Sequence, residues 1–305
     1  MKRLLVTGSN GLLGQKITDL LVQGQFPNFE YIASSRGADR FDAKAYHYLD
    51  LDITHHAQVL KAIETYSPDI IINTAAMANV DACEREPAKS YEVNVAAVAN
   101  LIKICEDRNI HLIHLSTDFV FDGEEGPYEE DDRPNPVNIY GEHKMAAENL
   151  LQQAACPWSI VRTILVYGVL RDLSRSNIVL WAKNALENGQ PIRVVNDQWR
   201  MPTLAEDLAK ACLVVAERNA TGIYHISGKD MFSICEIVEA VIEHYRLDAS
   251  FICKEASEAL NQDAKRPKRT GFILDKAYEK LDYVPHSFGE GLKLIDEQLA
   301  KLQSS

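Results

Sequence analysis

Tyr140 and Lys144 stand four residues apart in NIYGEHK (138–144), where helical periodicity begins. That spacing puts a phenol and an ammonium on one helical face. A free tyrosine titrates near pH ~10. A neighbouring ammonium favours the phenolate. The pair therefore reads as a proton donor with a partner that tunes it toward operating pH. The preceding apolar run ends in HLSTDFVF (114–121), where Thr117 offers a hydroxyl to the same carbonyl oxygen and Asp118 lies beside it. Ser116 offers an equivalent hydroxyl, and spacing does not choose between the two. Proton transfer to a carbonyl is the chemistry such a set performs.

A second constellation sits at the start of the chain. VTGSNGLLG follows the first apolar run and opens the first helical pattern, with Gly8, Gly11 and Gly14 in GxxGxxG spacing around Asn10 and Leu12. Such glycines allow a tight turn, close approach of a pyrophosphate, and close helix–strand packing, while the helix N-terminus faces the phosphates. At the end of the second run, YIASSRGADR supplies Ser34, Ser35 and Arg36, with no carboxylate before Asp39. Serines and an arginine suit a 2′-phosphate, so NADP is favoured and NAD remains the alternative. Asp52 and Ile53 follow the third run, where an adenine edge can be read. Thr74, Ala75 and Ala76 end the fourth, where small side chains leave room for a cofactor.

The elements that must position these residues alternate. Strands are expected at 3–7, 30–34, 46–49, 70–73, 111–116 and 159–163, and helices at 12–23, 57–66, 88–109 and 138–155. Strand–helix alternation of this length means βαβ units, hence an α/β, Rossmann-type doubly wound parallel sheet with right-handed crossovers. After Gly168 the pattern changes: helices at 177–188, 204–218, 234–245 and 274–281, and strands at 193–195 and 222–226. The expected division is a dinucleotide-binding domain over 1–168, with 193–226 returning to it. A smaller, interleaved substrate lobe takes 169–192 and 227–305. The acidic, turn-rich segment DGEEGPYEEDDRPNP (122–136) at a strand's carboxyl end is either a solvated loop or a lid over the substrate.

Composition bounds the partners. With 46% hydrophobic and 25% charged residues in 305, the chain has material for a sizeable core. A net charge of −12 argues against nucleic acid and anionic membranes, whose phosphates it would repel. The apolar run near the start is too short for a signal peptide, and no run is long enough for a membrane span. The six cysteines show neither CxxC nor metal-ligand spacing. Reduced thiols, no metal, and a cytoplasmic location are the expectation.

TGSNGLLG, STDFVF, YGEHK, and Asn94 in YEVNVAAVANL together resemble the extended short-chain dehydrogenases/reductases. Within them the chain most resembles the dTDP-4-dehydrorhamnose reductases, over nearly its whole length. The matching segments are NTAAMANVDACEREP, STDFVFDG, PVNIYGEHKMAAE, VRTILVYG, DQWRMPTLAEDLA and RPKRTGFILD. The resemblance implies NADPH-dependent reduction of the 4-keto group of a nucleotide-linked deoxysugar. It implies Tyr140 as proton donor, Lys144 binding the nicotinamide ribose and lowering the Tyr140 pKa, and Thr117 orienting the carbonyl. It further implies Asn94 at the cofactor, Asp81 and Asp118 near the sugar, and Arg266 near the diphosphate. KRPKR (265–269) is the main basic cluster of an acidic chain, which suits that last role.

One departure from the resemblance bears on the substrate. The family commonly has a glycine two positions after DQ, whereas Trp199 and Arg200 follow Asp197 and Gln198 here, expected at the pocket rim. Arg162 is expected to pair with a buried carboxylate. The alternatives to a reductase are an epimerase or dehydratase of the same fold, or a dinucleotide-binding regulatory subunit. The oligomeric state is left open, with a homodimer allowed for.

Overall fold

The computed structural model describes residues 1–41, 45–172, 176–260 and 262–303. Residues 173–175, 261, 304 and 305 of the expected smaller lobe lie outside it. Six strands, β1 (Lys2–Thr7), β2 (Phe29–Ser35), β3 (His47–Asp50), β4 (Ile70–Asn73), β5 (His111–Thr117) and β6 (Trp158–Thr163), alternate with helices. The helices are α1 (Leu12–Val22), α2 (His56–Tyr66), α3 (Val80–Arg85), α4 (Pro87–Tyr91), α5 (Ala97–Arg108) and α6 (Ile139–Gln152). Then follow β7 (Val166–Tyr167), α7 (Ile178–Glu187), β8 (Ile192–Val195), β9 (Trp199–Arg200), β10 (Thr203–Leu204), α8 (Ala205–Arg218) and β11 (Gly222–Ile226). The chain ends with β12 (Phe232–Ser233), α9 (Ile234–Tyr245), β13 (Ile252–Glu255), α10 (Asp275–Leu281) and α11 (Phe288–Gln303).

The central sheet runs β11-β6-β5-β4-β1-β2-β3 with every pairing parallel. Its strands are apolar on both faces because helices cover both. Leu4, Val6, Ile70 and Ile72 join one core layer, while Leu5, Ile32 and Ile71 join the other. A third core, from α7, α9, α11 and the short strand β8, forms the smaller lobe. From β1 the chain winds outward through β2 and β3, then crosses back to β4 on the other side of β1. That reversal opens a crevice at the carboxyl ends of β1 and β4.

Two segments depart from the sequence reading. The run at 193–195 does not return to the central sheet: β8 pairs in parallel with β13, and only β11 rejoins the sheet beside β6. Ile192 and Val194 are buried against α7 and α9, so the lobe's own core claims this strand. The helix expected at 88–109 is α4 and α5 joined by a π-helical turn, Glu92–Ala96.

Candidate active site

The first turn of the chain builds one wall of the crevice. Gly8 has φ of +72°, and a Cβ there would come within 2.9 Å of the Ala75 nitrogen. At Gly14 a Cβ would lie 2.4 Å from the Gly8 carbonyl, so only glycine lets α1 pack this close to the turn. The resulting crevice, about 290 Å³, is lined by Gly8, Asn10, Gly11, Ser35, Arg36, Asp52, Ile53, Ala75 and Ala76. Arg40, Leu51, Thr74 and Val93 complete it, and the sequence reading named none of these four as a site residue except Thr74 as a small neighbour. Leu12, the first residue of α1, and Gly14 are not among the lining residues. The α1 N-terminus, the glycine turn and two arginines suit a dinucleotide's phosphates. Asn94 is not in the lining: its side chain accepts from Met77 N (3.0 Å) and donates to Met77 O (3.0 Å), so it holds the loop after β4 in place. It does so from the π-helical turn, a deformation often found at functional sites.

Tyr140 and Lys144 project from the first turns of α6, whose N-cap is Asn138, accepting from Gly141 N at 2.8 Å. Thr117 ends β5 and caps the turn after it, accepting from Phe119 N at 3.2 Å. The structure brings Thr117 and Tyr140 into side-chain contact. Ser116, the competing hydroxyl, is buried with no hydrogen-bond partner among the described residues. Lys144 is 2% exposed and donates to Leu115 O at 2.5 Å, with His114 Nε2 at 2.9 Å. Behind it, His114 Nδ1 meets Asn73 Nδ2 at 3.1 Å, and Asn73 accepts from Thr7 at 2.6 Å. Burial holds the Lys144 ammonium down to about 8, against the pull of Glu148. Burial and the adjacent Lys144 charge keep the His114 imidazole well below its ordinary value.

The expected lowering of the Tyr140 phenol is not what this structure shows. Burial first, then the Asp118 carboxylate and Cys83, hold it above its ordinary value, with only the Thr117 contact opposing them. The reason is geometric: the Lys144 ammonium points to His114 and the Leu115 carbonyl.

Asp118 is 2% exposed and accepts from Thr117 Oγ1 at 3.0 Å and from Thr270 Oγ1. Burial raises its carboxyl, and Arg200, Thr270 and Thr117 do not fully offset that. Arg200 is not a rim residue, in contrast to the sequence reading. It is 3% exposed, with Nε 3.7 Å from Asp118 and its guanidinium spent on backbone carbonyls. It is buried because β9 pairs with β12 on one side and meets Arg269 on the other. Asp81, on α3, binds Arg266 at 2.7 Å and accepts from Ala264 N at 3.1 Å, which holds its carboxyl low. The two residues expected at sugar and diphosphate are thus each other's partners across the site.

The acidic segment 122–136 is pinned at its middle. Tyr128 stacks on Phe121 with ring centroids 4.1 Å apart, and its backbone bonds to Gly271 and Ile273. Glu130 accepts from His225 N at 3.0 Å. These anchors tie it to the sheet edge and do not suit a lid hinged at both ends. Arg162 does pair with a buried carboxylate, Glu148, at 2.7 Å. Among the described residues no three His, Cys, Asp or Glu side chains group to hold a metal ion. A larger cavity, about 490 Å³, lies between α1, α8 and α11, away from the strand ends. Its charged groups are engaged with one another, as in Lys16–Glu206 at 3.0 Å and Arg171–Asp19 at 2.7 Å, so the smaller crevice is the chemically relevant one.

The RmlD substrate binding domain family matches residues 1–301. The chain is 32% identical to the probable low-salt glycan biosynthesis reductase of Haloferax volcanii, over 98% of this chain and 97% of that protein. It is 29% identical to methionine adenosyltransferase 2 subunit beta of Danio rerio, over 88% of this chain and 81% of that one. Among solved structures, the dTDP-4-dehydrorhamnose reductase of Bacillus anthracis in complex with NADP superposes with a TM-score of 0.82 at 26% identity. That match covers 97% of this chain and 99% of the other.

Proposed function

The chain belongs to the RmlD substrate binding domain family, and on that premise we propose that it reduces the 4-keto group of a nucleotide-linked deoxysugar with NADPH. The observation that carries this reading is the meeting of Tyr140 with Thr117 at the carboxyl end of β5, one helical turn from buried Lys144; none of the three lines the glycine-turn crevice itself, which is formed by the neighbouring strand ends. Reduced nicotinamide, when bound, supplies the hydride. Tyr140 gives the proton to the sugar oxygen and is a donor for the charge that develops there, and Thr117 adds a second when its hydroxyl turns from Asp118 to the substrate. Lys144 would bind the nicotinamide ribose, and its ammonium would there favour the phenolate. Ser35 and Arg36 support the choice of NADPH over NADH, as does the NADP complex of the Bacillus anthracis relative. Arg266, from the smaller lobe, meets the diphosphate. A cytoplasmic location belongs to the same proposal. It is supported by the lack, among the described residues, of any helix long and apolar enough to cross a membrane, and by cysteines that are free.

A second reading, a dinucleotide-binding subunit without chemistry, has support in the 29% identity to methionine adenosyltransferase 2 subunit beta. The presence of Tyr140, Lys144 and Thr117 together favours the reductase, because binding alone does not require all three. NADPH oxidation followed by absorbance with dTDP-4-keto-6-deoxy-mannose decides, with NADH run in parallel. Tyr140→Phe should bind NADPH within a few-fold of wild type and lose turnover by ~10²-fold or more. Undiminished turnover in that variant would remove Tyr140 from the chemistry, and no turnover by the wild type would favour the subunit reading.

A further inference from the structure

Residues 264–270 cross the catalytic edge as a strap with several ties. Ala264 N and Arg266 bind Asp81 on α3. Lys265 O accepts from Asn138 Nδ2 at 2.8 Å, so the residue that caps the Tyr140 helix also holds the strap. Thr270 Oγ1 donates to Asp118, the residue after Thr117. The centre of the strap is held by Arg200. Its NH2 donates to Pro267 O at 2.8 Å, and its NH1 to Trp199 O at 2.7 Å and Lys268 O at 3.3 Å. Its guanidinium carbon also lies 5.4 Å from the centre of the Phe119 ring, which itself meets the Tyr140 ring edge-on at 6.3 Å.

We propose that Arg200 is a positioning residue that fixes the strap over Tyr140 and offsets the Asp118 charge, so that a nucleoside diphosphate meets Arg266 already in place. Two properties of a guanidinium make this possible. Its fork of donors can serve several carbonyls at once, and its charge does not leave it at any working pH. Glycine at this position, the usual family residue, would supply neither. The groups that face the pair are few and named. Asp118 is approached by Arg200, Thr117, Thr270 and Tyr140, and Arg200 by Asp118 and Arg266. Arg200 is therefore the cation beside Asp118, and Asp118 is a carboxylate that acts on Tyr140. The strap's position and the acidity of the site are coupled through one side chain.

This inference rests on the nucleotide-sugar reading, and its test separates the two. Arg200→Gln removes charge and fork, whereas Arg200→Lys keeps the charge and loses the fork. Titration with dTDP by calorimetry needs no turnover. Arg200→Gln should weaken dTDP ~10-fold and Arg200→Lys ~3-fold, with NADPH binding within ~2-fold of wild type in both. In steady-state kinetics, Arg200→Gln should raise KM for the nucleotide-sugar more than it lowers kcat. It should also move the acid limb of kcat/KM to higher pH as Asp118 loses its cation, and Arg200→Lys should restore that limb. Unchanged dTDP affinity, or equal losses in dTDP and NADPH binding, would make Arg200 a packing residue. So would an acid limb that stays in place in Arg200→Gln. If Arg200→Gln does not fold, Arg200→Lys decides alone, through weaker dTDP with an unmoved limb. A wild type whose dTDP affinity depends on Arg200 as above but which never consumes NADPH would sink the proposed reaction and leave the positioning role standing.

Discussion

Arg162 and Arg200 are both buried beside carboxylates, yet they divide their bonds differently. Arg162 sends Nε to both oxygens of Glu148, at 3.0 and 3.3 Å, and NH2 to one of them at 2.7 Å. Most of its hydrogen bonding is thus the charge-compensating contact itself, which joins β6 to α6 at 1% exposure on both sides, and only NH1 turns elsewhere, to Glu130 O and His225 Nε2 at 3.2 Å each. Arg200 keeps 3.7 Å from Asp118 and gives its donors to three carbonyls. Its charge serves one group and its bonds serve another. That leaves the Asp118 oxygens to Thr117 and Thr270, at the place where chemistry is proposed. A pair whose cation bonds its own carboxylate directly holds the fold, whereas a pair whose cation spends its donors elsewhere can hold a site.

The largest effect that tests this division is Arg162→Met. It leaves Glu148 buried without its partner, and breaking such a pair costs about 3–5 kcal/mol. The expected loss in urea unfolding is of that order, while the folded enzyme keeps the wild-type pH profile of kcat/KM. A loss under ~1 kcal/mol, or an acid limb displaced as in Arg200→Gln, would abolish the distinction between the two arginines.

Lys144 extends the series to a buried cation with no carboxylate at bonding distance among the described residues. Burial brings it from its ordinary 10.5 to about 8. Between those values the unfolded chain holds a proton that the folded chain has lost, so this residue's contribution to stability rises with pH across that interval. The gap corresponds to about 3 kcal/mol of strain on the protonated fold, part of it offset by the bonds to His114 and Leu115. Lys144→Met should therefore be inactive yet more stable than wild type by about 1–2 kcal/mol near pH 7. That advantage should shrink toward pH ~10. Paired urea titrations across this range check it. An advantage that stays flat with pH would mean that Lys144 is not strained by its burial.

How much of this was legible in the sequence depends on whether a feature is local. Strands β1 to β6 and the glycine turn follow from apolar runs and from residues adjacent in the chain, so periodicity places them within a residue or two. The helix α11 also carries such a signal, with Phe288, Leu292 and Ile295 buried, but the sequence reading left that tail unassigned. What a strand pairs with is not local. The apolar pattern of β8 suits either sheet, and its partner β13 was not visible as a strand because Cys253 and Lys254 face solvent. The site shows the same split. Tyr140 and Lys144 are one helical turn apart and announce themselves, whereas His114, Asn138 and Arg200 act on residues far along the chain. Arg200 stood out only as a departure, and its burial could not be read because it depends on β9 meeting both β12 and Arg269.

The smallest effect belongs to a third arginine, which marks the exposed end of the comparison. Arg36 lies 3.8 Å from Asp52 at the crevice mouth with 75% of its side chain exposed. Water screens such a pair, so Arg36→Ala should change stability by less than ~0.5 kcal/mol. Its value is reserved for a ligand that brings its own charge. The variant should raise KM for NADPH ~3–10-fold and leave KM for NADH unchanged, because only the former carries a phosphate on the adenine ribose. Parallel titrations with the two cofactors are sufficient. Equal losses for both would assign Arg36 to the shared pyrophosphate, and a stability loss near that of Arg162→Met would mean that exposure does not order these pairs.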